Sequence, residues 1–493
     1  MSKTKQLLMV IVAILLVTLV SGAVFACNIA IASGNATVNG NILFAKNSNR
    51  GNEECQRFAS FPHQKYPAGS KVKCTWLEIP QVSETYAVRG GQPYWGFGFE
   101  QGMNEYGVTI GNVASYYRHL NPKGTKDGLT GMDILRLALE RSKTAAEAVQ
   151  IMIDLNRKYG NWGATHTDGT GAYNNSYAIA DPNEVWILEL PGRDYIAQKL
   201  PKDGVFCLNN VPYIRTNYDI ISSGLIEYAK KQGWYKEGQE FDFSYYFMPG
   251  GGRDSSQVYS EIKMMRVLGL LKANYGKIDP AYLMQVLRDR REGDWSEERF
   301  MPYRHYRLID EIEPTSSTAG TMVADLRKGL PDSIANVYWM AMASTNTSAF
   351  TPFYWGGEVP KEYAIGANVF DKTSPWWTYD LLDRMSRKNY YTFTNVIRSV
   401  WKPVEEQNFR EAEMLEKKVV QLEATGKKTE AAKALTAFHR AELDHQMMVA
   451  QTLFYSLQAL HKGLPGGYPP AYDDSLSDIN AGVEDMFTED LFN

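Results

Sequence analysis

Strand-type patterning comes first in this chain, and helix-type patterning follows in blocks. That order limits the fold more than any other feature. Cys27, Ile29 and Ile31 alternate with Asn28, Ala30 and Ala32, residues 33–41 form a polar Gly/Asn stretch, and Ile42-Leu43-Phe44-Ala45 follows. Two such runs around a turn predict a β-hairpin. Residues 94–112 also read as strand and turn. Ile134, Leu135, Ala138 and Leu139 then recur at helical spacing, Thr144-Ala145-Ala146-Glu147 has the capping-box form, and Ala148, Ile151, Met152 and Leu155 continue an apolar face. The spacing predicts helices over 132–142 and 145–159.

Strand patterning returns over 175–180, 184–190, 194–199 and 205–209, with Asp-Pro-Asn and Pro-Gly turns between, and predicts a meander. Helices are expected over 256–273 and 280–289, and strands over 317–326 and 335–343. From Pro403 to Lys462 the chain is rich in Glu, Lys, Ala and Leu at helical period, broken at Thr425-Gly426-Lys427, which predicts an αα-hairpin appendage. The last thirty residues, rich in Pro, Gly and Asp, read as extended. Strands and helices in blocks do not make βαβ units. They predict an α+β fold of antiparallel sheets with helices packed outside. No internal repeat is visible.

Residues 1–26 stand apart. Lys3 and Lys5 precede an apolar run from Leu7 to Val20, and Ser21-Gly22-Ala23-Val24-Phe25-Ala26 follows. This is the layout of a secretory signal cut before Cys27. The other reading is an uncleaved anchor, since Leu7 to Ala26 is about long enough to span a bilayer. Cleavage favours a secreted protein, or one at the outer face of the cell membrane, and takes the formal charge from -4 to -6. An acidic balance with no basic run gives no basis for nucleic-acid binding.

Four cysteines, Cys27, Cys55, Cys74 and Cys207, bear on an exported chain. Cys55 and Cys74 are near enough in sequence to bridge or to remain separate. Cys207, in the apolar run Gly204 to Leu208, reads as a buried thiol. Cys27 is different. Once exposed as the first residue, it carries a thiol nucleophile and an α-amine that titrates at about 7.7 when unperturbed, so one residue supplies attacking group and base. The competing reading is a lipid-modified cysteine on a non-catalytic binding module. Phe25 is bulky for a lipoprotein cleavage box, and Cys27 enters a strand with no tether. No His-Glu-x-x-His or Gly-x-Ser-x-Gly motif occurs. His166-Thr167-Asp168 has no third metal ligand in sequence, and Met248-Pro249-Gly250-Gly251-Gly252-Arg253 lacks the Lys-Ser/Thr of a phosphate loop. No cofactor is expected.

Four segments behind Cys27 carry a family likeness: Phe44-Ala45-Lys46-Asn47-Ser48-Asn49-Arg50; Gly102-Met103-Asn104-Glu105-Tyr106-Gly107-Val108 with Ile110-Gly111-Asn112; Asp133 to Arg141 with Thr144-Ala145; and Ala180-Asp181-Pro182 through Glu184-Val185-Trp186-Ile187-Leu188-Glu189. In this order the chain resembles the N-terminal-nucleophile cysteine dipeptidases of the dipeptidase A and secernin type, distantly related to bile-salt hydrolases and penicillin V acylases. The resemblance covers about residues 27–352. It implies an αββα sandwich of two antiparallel sheets between helical layers and hydrolysis of dipeptides or short peptides through an acyl-enzyme on Cys27. Lys46 falls at the family's cationic position, and Asn112 and Asn210 where the wider superfamily places oxyanion and nucleophile-orienting amides. Asn49 stands where the family usually has an Asp that holds the nucleophile's amine, which either leaves a neutral acceptor or disables the enzyme. A late superfamily arginine corresponds to Arg253, Lys263 or Arg266. Gly160-Asn161-Trp162-Gly163 replaces the family's Gln-Gly-Gly, which leaves a non-peptide amide open as the substrate.

The expected layout is therefore a signal peptide at 1–26, a catalytic domain at 27–402 and a helical extension with an extended tail at 403–493. The intact mass of the exported protein is expected to correspond to a chain starting at an unmodified Cys27. A lipidated Cys27 or a retained leader would remove the free amine and with it the hydrolase chemistry.

Overall fold

The computed structural model describes residues 27–51, 53–249, 255–289 and 316–463. The leader, Arg253 and the extended tail lie outside the described residues. The first hairpin forms as expected. β1 (Asn28–Gly34) pairs antiparallel with β2 (Gly40–Gly51), placing Asn28 opposite Asn47 and Ile31 opposite Phe44. Two further groups of strands build the sheets around it. β3 (Gln56–Phe61), β4 (Val88–Pro93), β5 (Gln101–Asn104), β6 (Thr109–Ser115), β7 (Asn174–Ala180), β8 (Val185–Leu190) and β9 (Ile196–Lys199) precede β10 (Gly204–Leu208) and β11 (Ile220–Ile221). β12 (Ser316–Leu326), β13 (Asn336–Met342) and β14 (Thr351–Tyr354) follow later in the chain. One sheet has the order β10-β1-β2-β12-β13-β14 and the other β11-β9-β8-β7-β6-β5-β4-β3. Every pairing in both is antiparallel.

The expected meander is corrected at its last strand. β7, β8 and β9 are neighbours, but β10 leaves for the other sheet and pairs with β1, Ile29 opposite Leu208. Period-two patterning fixes which face a strand shows and not which neighbour it takes. In β10, Cys207 joins the cluster on the outer face of its sheet while Leu208 joins the one between the sheets.

Side-chain alternation assigns the layers. Ile29, Ile31 and Phe44 enter a core shared with Val113, Ala178 and Ala180 of the opposite sheet. Ala30, Ala32, Leu43 and Ala45 face the other way, into a cluster with Val267, Leu271, Leu283 and Leu287. These last four lie on α5 (Ser255–Ala273) and α6 (Pro280–Leu287), which follow α3 (Ser223–Lys231) and α4 (Phe243–Phe247). α1 (Gly131–Arg141) and α2 (Ala145–Tyr159) cover the eight-stranded sheet, with Ile134, Leu135, Ala138, Val149 and Met152 packed on Ile110, Tyr177 and Leu188. The layer order is αββα. Strands buried on both faces carry small or apolar residues at every position, which is why β1 reads Ile-Ala-Ile-Ala.

Helix starts follow their caps. Thr130 and Asp133 form a reciprocal capping box at α1, a site the sequence reading passed over. At α2 only half of the expected box forms. Thr144 accepts from the Glu147 N–H, but the Glu147 carboxylate reaches the Lys143 N–H instead of that of Thr144.

The expected 402/403 boundary falls inside a helix. After α7 (Pro375–Lys388), α8 runs unbroken from Tyr390 to Ala424, through Pro403, and α9 spans Lys428–Gly463. The hairpin is there, with its break as expected, but it is built into the body. Trp401 is fully buried and donates to the Thr347 carbonyl at 2.9 Å, and Asn408 donates to the Phe350 carbonyl at 3.0 Å. Pro403 marked no boundary because helix packing on both sides outweighs the one hydrogen bond it removes. Cys55 and Cys74 are separate thiols, the first in the core between the sheets and the second in the cluster under α1 and α2.

His439 ties α9 to the end of β14. The Tyr354 N–H donates to its Nε2 at 3.0 Å, so Nδ1 carries the proton and donates to the Glu358 carbonyl at 2.9 Å. Burial, then the nearby Arg89 cation, push its pKa down to about 3. The unfolded chain binds that proton near 6.5 and the folded chain does not, so stability falls as pH drops below about 6.5. Chemical denaturation is expected to show about 2 kcal/mol less stability from this residue at pH 5 than at pH 7. His439→Gln should flatten that part of the slope; an unchanged slope would show that the residue does not titrate on unfolding.

Candidate active site

β2 brings together the residues of the first motif. One step beyond the Asn28–Asn47 pair, Cys27 stands at the open end of the hairpin, 4% exposed, with the Asn49 N–H donating toward its Sγ at 3.5 Å. Lys46 lies opposite Ile29 and is fully buried. Its Nζ donates to Gln101 Oε1 at 3.0 Å and lies 3.6 Å from Glu100 Oε2. Gly111, in β6, makes room for it: a Cβ there would stand 2.7 Å from Lys46 Cδ and 3.3 Å from the Ile29 side chain. The glycine of the Ile110-Gly111-Asn112 motif thus lets the two sheets close over the lysine.

The charges near Cys27 form a chain that the sequence reading only partly named. Arg50 lies 3.2 Å from Glu100 through Nη1 and donates to Glu54 Oε1 at 2.7 Å. It also donates to the Tyr173 hydroxyl at 2.9 Å and to the Thr165 carbonyl at 3.1 Å. Lys46, Glu100, Arg50 and Glu54 therefore alternate in sign. Such groups persist in the interior only when paired and hydrogen-bonded. Burial pushes the Cys27 thiol up from its ordinary value; Lys46 pulls it down, and Glu100 opposes that pull.

The expected site residues do not all stand as expected. Asn49 meets the sulfur through its backbone N–H, while its Oδ1 accepts from Thr318 Oγ1 at 2.9 Å. The Asn112 amide lies between Glu100 and Asn175. With its nitrogen turned to Glu100 it donates to Oε2 at 2.7 Å and to the backbone carbonyl at 2.9 Å, so Asn112 joins the site through Glu100. Asn210 donates to the Ala114 carbonyl at 2.7 Å, strapping its loop to the end of β6. Both amides thus have protein acceptors, Glu100 for Asn112 and the Ala114 carbonyl for Asn210. Of the candidates for a late cation, Lys263 is buried in α5 and Arg266 pairs with Asp289 at 2.7 Å.

Arg50, Glu100, Gln101 and Tyr173 were missed. Arg50 was legible: Lys46, Ser48 and Arg50 share one face of β2 by alternation. Glu100 had no such signal, because its role depends on the opposite sheet. The segment after Gly160-Asn161-Trp162-Gly163 does approach the site, through Thr165 and Tyr173 on Arg50. Among the described residues no three His, Cys, Asp or Glu side chains are placed to hold a metal ion, and no helix is long and apolar enough to cross a membrane.

The chain is similar to proteins named probable dipeptidase. That of Salmonella dublin is 23% identical over 371 residues, covering 68% of this chain and 82% of its own, and that of Latilactobacillus sakei is 22% identical over 408 residues, covering 75% and 82%. Among solved structures, a conjugated bile acid hydrolase mutant from Clostridium perfringens matches with a TM-score of 0.37 at 14% identity, over 66% of this chain and 92% of that one. Penicillin V acylase from Agrobacterium tumefaciens matches with a TM-score of 0.31 at 14% identity, over 66% and 86%. The profile of peptidase family C69 matches residues 26–273 and 296–403, most of the chain, and the protein belongs to that family.

Proposed function

We propose that this protein is an exported dipeptidase in which Cys27, freed by removal of residues 1–26, is both nucleophile and, through its α-amine, base. The observation that carries the reading is the position of Cys27. It stands at the start of the central hairpin, directly behind a leader with a cleavage signature, its sulfur within reach of the Asn49 N–H and its surroundings charged. The names of the similar dipeptidases support the substrate class.

The chemistry proceeds in two halves. The Cys27 sulfur attacks the peptide carbonyl carbon while its proton passes to the α-amine. The C–N bond then breaks, and the departing amine takes that proton, leaving a thioester. Water, deprotonated by the same amine, attacks the thioester, and the sulfur leaves with the proton restored. The thiol needs this base because burial holds it protonated. Backbone N–H groups near the sulfur, that of Asn49 among them, offer donors for developing negative charge.

Cys27→Ala is expected to lower kcat/KM for dipeptides by at least about a thousandfold with no loss of fold. Near-wild-type turnover in that variant would end the proposal. The second expectation concerns Asn49. A neutral side chain at this position gives an ammonium no charge partner, so the acidic limb of the kcat/KM profile should lie at or below about pH 7.7. Asn49→Asp puts a carboxylate there, favours the protonated amine and should move that limb upward. A downward move would show that the limb does not belong to the amine.

A further inference from the structure

Charged and titratable groups face Cys27 from several elements. Lys46 and Arg50 come from β2, Glu100 from the residues just before β5, Tyr116 from just after β6, and Tyr173 from just before β7. Both tyrosines are held neutral by burial. Among the described residues, the remaining charges in this chain of ion pairs are two cations and two carboxylates, with Glu100 between Lys46 and Arg50 and Glu54 beyond. A lysine beside a cysteine ordinarily favours the thiolate. Here the lysine's ammonium is occupied by Glu100 and Gln101.

We infer that Glu100 is a positioning residue that neutralises Lys46 beside Gln101 while its own Oε2 takes the Asn112 amide, so that the Cys27 sulfur stays protonated until its own amine takes the proton. The inference rests on the proposed N-terminal nucleophile and adds how that nucleophile is held at rest. Three contacts support it. Glu100 Oε2 faces both Lys46 and Asn112, Oε1 faces Arg50, and the Glu100 backbone carbonyl accepts from the Asn112 backbone N–H at 3.2 Å. A single carboxylate therefore joins the cationic and the amide positions on opposite sheets. The Coulomb effects run the same way: Glu100 raises the thiol and Lys46 lowers it. A resting thiol also suits an enzyme outside the cell, because the thiolate is the species that oxidants attack.

The test is a pH titration of the Cys27 13Cβ resonance in the mature protein, assigned by its absence in Cys27→Ser. Glu100→Gln keeps the side chain's shape and removes its charge, leaving Lys46 and Arg50 in excess. The thiol midpoint is expected to fall by about one pH unit or more. Glu100→Asp, which keeps the charge, should stay nearer the unmutated value. A purely structural role for Glu100 would not give this ordering, and an unchanged or raised midpoint in Glu100→Gln overturns the inference. Should Glu100→Gln fail to fold, Lys46→Gln probes the same pair from the other side. Glu100 then lacks one partner and the midpoint should rise, whereas a fall or no change overturns the inference. Because the titration does not depend on turnover, the expected shifts in a protein that hydrolyses no dipeptide would uphold this charge balance and reject the hydrolase reading instead.

Discussion

The buried ion pairs that run from Lys46 through Glu100 and Arg50 to Glu54 are the constraint on which the site depends. Removing a charge from water costs several kcal/mol even after relaxation, so none of these groups is stable where it is without the others. Lys46 and Arg50 come from one sheet and Glu100 from just before β5 in the other. The pairing therefore fixes how the sheets meet at the end where Cys27 emerges. Gly111 is the geometric counterpart: a side chain there would hold the sheets apart at the lysine.

The rest of the sandwich supports that meeting. β1 is an internal strand, between β10 and β2, so Cys27 precedes a strand that is hydrogen-bonded on both sides. The proposed nucleophile, once at a chain terminus, would ordinarily fray. Here the first residues are locked by two ladders and by apolar contacts on both faces. The C-terminal helices serve the same end at a distance. Trp401, Asn408 and His439 clamp the far strands of the six-stranded sheet, whose order runs through β12 to β2. Ala412, Val419, Ala431 and Leu435 of these helices join the cluster on the outer face of that sheet.

Much of the fold was legible in local pattern. The two paired helices and the later strands fall within a residue or two of expectation, and the hairpin forms with its second strand running on to Gly51, because each rests on a period that burial enforces. Less was legible where a partner decides. β10 has the sequence of a fourth meander strand, but its pairing partner is β1. Pro403 looks like a helix boundary, yet lies inside a helix of 35 residues. At the site, Lys46 and Cys27 were identified and Arg50 was within reach by alternation. Asn112 and Asn210 were placed by likeness to a family, and the structure gives both amides protein acceptors.

By itself the sequence determined the α+β class, the antiparallel sheets and the family, and it supplies the proposal that Cys27 is nucleophile and base at once. These follow from periodicity, from a leader that ends at a cysteine and from motif order, all of which are local along the chain. Tertiary structure alone decided that Glu100 balances Lys46, that Asn49 meets the sulfur through its backbone, and that α8 and α9 belong to the body. The physical reason is the same in each case. Electrostatic balance and packing are set between residues 22 to 85 positions apart, and no short-range pattern records which charge a buried lysine will face.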